Sequence, residues 1–272
     1  MSTFLRTIRA ETAKVTSTRM WWILALLLFV YILSTAGGLG ALFGAGSSGS
    51  LPSSTAGVVP TEGLAPLLYS FASSIGYVFP VLLGALAVTG EVRHQTLTPT
   101  FLATPRRGVV LAAKLTVLLL FGALFGVIGL VASVGGGAGA LALFDLDTEL
   151  GSSDTWAMFA RIVLAMALWA AVGIGLGSVV TNQVTVIVIV LVFTQFVEPV
   201  LRSVGGLADW IGDIVRFLPG AASDALVGSS IYGIMTTGQE QLDWWAGALV
   251  LAAIAAVLTV IGALTTWRRD VT

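Results

Sequence analysis

Gly90-Glu91-Val92-Arg93-His94-Gln95-Thr96-Leu97-Thr98-Pro99-Thr100-Phe101-Leu102-Ala103-Thr104-Pro105-Arg106-Arg107 is a compact, charged stretch punctuated by threonine and proline. Two long apolar runs flank it, Leu64–Thr89 before and Val109–Val134 after. Each exceeds the ~20 residues that a helix needs to cross the roughly 30 Å hydrocarbon core of a bilayer. A short charged loop between two such runs sets the fold class: an all-α integral membrane protein. The loop is where this oily chain meets water.

The composition agrees. Of 272 residues, 57% are hydrophobic and only 10% are charged, and the mean hydropathy is +0.98. Soluble domains carry about 25% charged residues, so this inventory cannot cover a water-exposed globule. Cysteine is absent, which excludes disulfides, cysteine metal sites and thiol chemistry. With His94 as the sole histidine, a histidine-rich metal site is excluded too. No metal or cofactor is expected in this chain, and no nucleic-acid partner.

Six stretches have the length and apolarity of spans: Met20–Ala41, Leu64–Thr89, Val109–Val134, Trp156–Val180, Val184–Leu201 and Trp244–Trp267. The fifth contains a β-branched run, Val184–Val192, which also suits a buried strand. A strand facing lipid would leave its backbone unpaired, so helix is the reading here. The apolar run from Met20 is too long for the core of a cleaved signal peptide, and a retained first span is expected.

Basic residues set the orientation. Arg6, Arg9, Lys14 and Arg19 precede the first span, and Arg93, Arg106, Arg107 and Lys114 lie in or beside the loop after the second. Arg268 and Arg269 follow the sixth, so 10 of the 13 basic residues fall on one side of a six-span topology. Basic loops stay in the cytoplasm. The expectation is a multi-pass protein of the cytoplasmic membrane with both termini and the Gly90–Arg107 loop inside.

The connections differ in character. Gly44–Gly63 reads as a plain outer loop. Thr181-Asn182-Gln183 reads as a tight turn making spans four and five antiparallel neighbours. Arg202–Asp243 is too apolar for a solvated loop and predicts short re-entrant or interfacial helices, broken at Pro219-Gly220. Near the front, Phe4, Leu5, Ile8, Thr12 and Val15 share a helical face, which predicts an interfacial helix; the alternative is a disordered basic tail. Within the charged loop, Thr98-Pro99 and Thr104-Pro105 each fit an N-cap followed by proline at the first helical position. They predict a short helix at about Pro99–Ala103 and a new helix from Pro105.

The order Glu91, Arg93, Thr96, Thr104-Pro105-Arg106-Arg107, Lys114 resembles the cytoplasmic loop of type-2 ABC exporter permeases, the membrane subunits of bacterial ABC transporters. There an acid and an arginine follow the second span. A threonine, a Thr/Ser-Pro-x-Arg turn and a lysine in the third span come after them. The resemblance extends to the front helix and to the short helices between spans five and six. It implies a transport subunit whose short loop helix, with Phe101 on it, docks on a separate cytoplasmic ATPase. Glu91, Arg93, Arg106 and Arg107 would then make polar contacts at that junction; the alternative is that these charges anchor helix ends. ATP and magnesium would belong to two copies of the partner. No G-x-x-x-x-G-K-[ST] pattern occurs in the chain, so the ATPase is expected on another polypeptide. Six spans make half a transporter, implying a second permease copy, identical or not.

Polar residues inside spans mark pathways. Thr194, Gln195 and Glu198 in span five and Arg161 in span four are the candidates. Their similar depth suggests an Arg161–Glu198 pair; the alternative is that each snorkels to the headgroups. Gly122/Gly126 and Gly173/Gly177 permit close helix contact, and Pro80 predicts a kink in span two. Tryptophans at span ends, Trp21, Trp22, Trp156, Trp244, Trp245 and Trp267, fit interfacial belts. A nearly uncharged interior points to an amphipathic or hydrophobic substrate such as a drug, lipid or peptide natural product. The rival readings are an ion-driven secondary transporter and a non-transporting membrane scaffold or sensor. A membrane enzyme finds no serine elbow and no zinc-binding motif here.

Overall fold

The structure, a computed structural model, describes residues 3–47, 63–205, 209–230 and 242–265. The described residues form helices and no strand. In chain order these are α1 (Thr3–Ser17), α2 (Met20–Ser47), α3 (Leu64–Ser74), α4 (Val78–Arg93), α5 (Leu97–Ala103) and α6 (Arg107–Leu143). There follow α7 (Ser153–Val179), α8 (Gln183–Val192), a π-helical turn (Phe193–Val197), α9 (Glu198–Val204), α10 (Asp209–Val215), α11 (Pro219–Val227) and α12 (Trp244–Thr265). Six helical stretches are long and apolar enough to cross a membrane: α2, α3 with α4, α6, α7, α8 through α9, and α12. The protein is an all-α, multi-pass membrane protein. Most of the Gly44–Gly63 loop, along with Leu207, Trp267, Arg268 and Arg269, lies outside the described residues.

The span boundaries move where glycine is involved. The first span runs on to Ser47 and the third to Leu143, past the ends expected at Ala41 and Val134. At 1.5 Å per residue α6 is ~55 Å long and overshoots a bilayer core. Its glycine-rich tail is a helix-contact surface. A Cβ on Gly136 would fall 2.6 Å from the Leu33 carbonyl oxygen, so α2 and α6 touch backbone to backbone there. The same logic holds α7 at the centre of the bundle. A Cβ on Gly173 would lie 2.1 Å from the Val81 carbonyl oxygen, and one on Gly122 would lie 2.8 Å from Ala167 Cα. Small residues thus let α4 and α6 close on α7, as both glycine pairs led one to expect.

Span two breaks at Ile75–Tyr77, between α3 and α4, while Pro80 itself lies in the first turn of α4. Proline removes the N–H that would bond to residue i−4 and crowds that carbonyl. Residue i−4 is Gly76, so the kink appears one turn upstream of its cause. The β-branched run is helical as read. Its start is fixed by Asn182, whose Oδ1 accepts from the Val184 and Thr185 N–H groups at 3.0 and 3.1 Å. The turn reverses the chain, yet α8 packs chiefly on α4 and only marginally on α7, because α4, α6 and α12 already cover α7. Span four has its own cap: Ser152 Oγ accepts from the Asp154 N–H at 3.2 Å.

After span five the chain re-enters. Helix α10 leaves Trp210 and Ile214 exposed, whereas α11, opened by Pro219 at its first position, buries Ala222, Ser223, Leu226 and Val227 against α7, α12 and α3. It is part of the bundle and does not lie on its surface. Helix α1 forms as expected, and its faces divide. It buries Thr7, Glu11 and Val15 and leaves Phe4 and Leu5 exposed. The face against the protein is the one carrying the acid.

Candidate functional site

Two polar groupings stand out in this apolar molecule, one at the Arg93 end of the kinked second span and one beside its break at Ile75–Tyr77. The first joins α1, α4, α5 and α6. Lys114 Nζ on α6 donates to Glu11 on α1 and to Glu91 Oε1 on α4, the latter at 3.0 Å. Lys14 Nζ on α1 donates to Glu91 Oε1 at 2.8 Å, to Glu11 Oε1 at 2.6 Å and to Thr100 Oγ1 on α5 at 3.1 Å. Two lysines and two glutamates thus alternate in a neutral ring, with Glu11 2%, Lys114 3% and Glu91 7% exposed. Burial disfavours the charged Lys14 ammonium, but its hydrogen bonds to Glu11 and Glu91 outweigh this and raise its pKa above the ordinary lysine value.

This ring corrects the expectation for Glu91. Its carboxylate points into the protein and is used there, so it does not reach outward toward a docked chain. The ring also holds α5 in place. Thr96 sits at the N-cap position of α5 with no side-chain cap bond, its own N–H donating to the Glu91 carbonyl at 3.0 Å, and Gln95 makes the turn before it with φ 53°. Neither Thr98 nor Thr104 is an N-cap. Thr98 lies inside α5 with Pro99, Thr104 is its C-cap, and α6 opens after Arg106 with no side-chain cap. Proline is tolerated anywhere in the first turn of a helix, since those N–H groups have no intrahelical partner. The proline signal therefore marks a helix start only to within a turn.

The remaining loop residues divide by direction. Leu97 is buried, while Thr98, Pro99, Pro105 and Arg106 are exposed. Arg107 lies over the Phe101 ring, 5.0 Å from its centre, and Arg93 Nη1 donates to Gln183 Oε1 at 3.1 Å. Leu102 is 80% exposed. It is the apolar knob of the loop, and the sequence reading passed over it because one leucine among polar residues carries no pattern.

The second grouping lies at the α3–α4 break, between α2, α3, the π turn, α9 and α11. A cavity of about 240 Å³ is lined there by Tyr31, Ser74, Tyr77, Thr194, Gln195, Glu198, Arg202, Ser223 and Asp224, among others. Three of the four proposed pathway residues meet in it. Arg161 does not: its guanidinium stacks 5.0 Å over the Trp244 ring. The expected Arg161–Glu198 pair is replaced by a sequence-local one. Arg202 Nε lies 3.5 Å from Glu198 Oε1, and Arg202 Nη1 donates to Asp224 Oδ2 at 2.8 Å. Glu198 Oε1 also accepts from the Ala221 N–H at 3.0 Å, near the start of α11, an anion at a helix N-terminus. Behind this wall Trp169 stacks on Tyr77 at 4.3 Å and donates from Nε1 to Ser223 Oγ at 3.0 Å.

Arg202 and Asp224 were missed, although a signal existed for the first. Val186, Val190, Thr194, Glu198 and Arg202 are all buried and recur every fourth residue. An ideal helix drifts about 40° per such step; the wider π turn at Phe193–Val197 takes up part of that drift and keeps the polar residues on one face. The pairing of Asp224 depends on the re-entry of α11 and leaves no trace in local sequence.

Compared with known proteins, the chain matches no protein-family model and no curated protein sequence.

Proposed function

We propose that this chain is the membrane-spanning subunit of an ATP-driven exporter of the type-2 ABC class, working as a dimer with two separate ATPase subunits. The observation that carries the reading is α5. It is a seven-residue helix suspended between the long helices α4 and α6, tied to α1 through the Lys14–Glu91–Lys114–Glu11 ring, and projecting Leu102 outward. A force on such a helix reaches three elements at once. In this reading both termini and α5 are cytoplasmic, in keeping with the basic residues around them. Closure of the ATPases pushes α5 and tilts α4 and α6, and α4 leads through the Pro80 break to the polar cavity. An amphipathic or hydrophobic substrate fits the apolar surroundings.

Affinity purification of the tagged chain from native membranes tests this. Wild type is expected to retain a P-loop ATPase, and Leu102→Asp to lose it while keeping its yield and melting temperature. A Glu91 variant would not serve, since it would break the buried ring. Recovery of no ATPase with wild type would refute the reading. One observation favours a second reading, an ion-driven transporter: Glu198 and Arg202 are buried and Asp224 half-buried in the bundle, and ion-coupled carriers use such intramembrane charges. On that reading no ATPase is retained, and transport responds to an imposed proton or sodium gradient.

A further inference from the structure

The polar cavity is not saturated by its own side chains. Glu198 is 2% exposed. Its Oε1 accepts from the Ala221 N–H and lies 3.5 Å from Arg202 Nε without a hydrogen bond, and its Oε2 is buried with no hydrogen-bond partner among the described residues. Arg202 directs its strong contact to Asp224 instead. Two acids face one base in the lining, so the cavity carries one formal negative charge in excess. Its walls include two aromatic rings, Tyr31 and Tyr77, and aromatic faces attract cations. An unpaired carboxylate oxygen, a negative excess and aromatic walls together select a positively charged group that can donate a hydrogen bond.

We infer that this cavity binds the protonated amine of a small amphiphile, with the ammonium N–H donating to Glu198 Oε2 and the charge resting against Tyr31 and Tyr77. A quaternary ammonium has no N–H to give, and a neutral alcohol has no charge. About 240 Å³ falls below the 300–1,000 Å³ of sites that enclose a drug-sized ligand, so the cavity takes a headgroup and at most one ring beyond it. The apolar remainder extends past the outer face of span five, where Phe196 and Val200 are exposed. As a substrate class this rests on the export reading. As a binding site it does not, and its assay needs no ATPase, so failure of one is distinguishable from failure of the other.

The test is calorimetric titration of the full chain in nanodiscs of zwitterionic phosphatidylcholine. The probes are 2-phenylethylamine, phenyltrimethylammonium and 2-phenylethanol, with empty nanodiscs subtracted. The amine is expected to bind saturably, at least tenfold tighter than either control, and Glu198→Gln is expected to weaken it at least tenfold. Because Glu198 also holds α11, Tyr31→Leu serves as a second variant. Tyr31 is partly exposed and caps no helix, and its loss should weaken the amine several-fold with no change in melting temperature. Absence of saturable amine binding would overturn the site. So would equal affinity for amine and alcohol, or wild-type affinity in Tyr31→Leu.

Discussion

Lys114 is a lysine inside a long apolar helix, and its cost is met by two carboxylates that come from elsewhere in the chain, Glu11 and Glu91. Replacing such a pair outright is often neutral, whereas removing one partner strands a buried charge. Lys114→Met should therefore destabilise the protein by about 3–5 kcal/mol, measured as a shift in the denaturation midpoint in mixed micelles. Lys114→Met with Glu91→Met should recover part of that loss; an additive loss would mean that the two side chains act independently. In sequence, Glu91 was conspicuous as an acid among basic residues. That its partners would be Lys14 and Lys114 was not legible, because it depends on α1 folding back against α4 and α6. For Glu198 the i+4 spacing of Arg202 was there to be read, whereas the part of Asp224 depends on the re-entry of α11 and was not.

At the scale of elements, each span was legible from apolar length, and the residues that end or bend helices were legible only to within a turn. Pro80 acts on Gly76, and the Thr-Pro pairs sit inside or after α5 and do not begin a helix. Spans one and three were read to end at Ala41 and Val134, short of their glycine-rich tails; glycine weakens isolated helices, but here close backbone contact outweighs that preference. This gives a sharp contrast between two glycines. Gly173→Val places a side chain where a Cβ already meets the Val81 carbonyl oxygen at 2.1 Å, and overpacking of this kind costs about 1–3 kcal/mol or more. Gly108, at the second position of α6, has nothing within 4 Å of a Cβ, so Gly108→Ala should stabilise by roughly 0.5–1 kcal/mol. Melting temperatures of the two purified variants should move in opposite directions. A fall with Gly108→Ala, or no change with Gly173→Val, would contradict the packing described.

For the whole molecule the sequence yields the number of spans and, through its basic residues, a proposed orientation. The natural absence of cysteine makes the orientation directly measurable. Single cysteines at Thr98 and Asp147, both exposed, should react differently with a membrane-impermeant maleimide in intact cells: Asp147→Cys labels, and Thr98→Cys labels only after permeabilisation. The reverse pattern would invert the topology and remove α5 from reach of any cytoplasmic ATPase. The central claim is that α5 is the surface through which ATP hydrolysis reaches the spans, and site-specific photo-crosslinking tests it most directly. A benzophenone amino acid at Leu102, with Asp147 as control, would be irradiated in native membranes and its adducts identified by mass spectrometry. The account predicts a P-loop ATPase joined at position 102 and none at 147. Adducts at 102 that contain only lipid, or a protein with no nucleotide-binding motif, would contradict it.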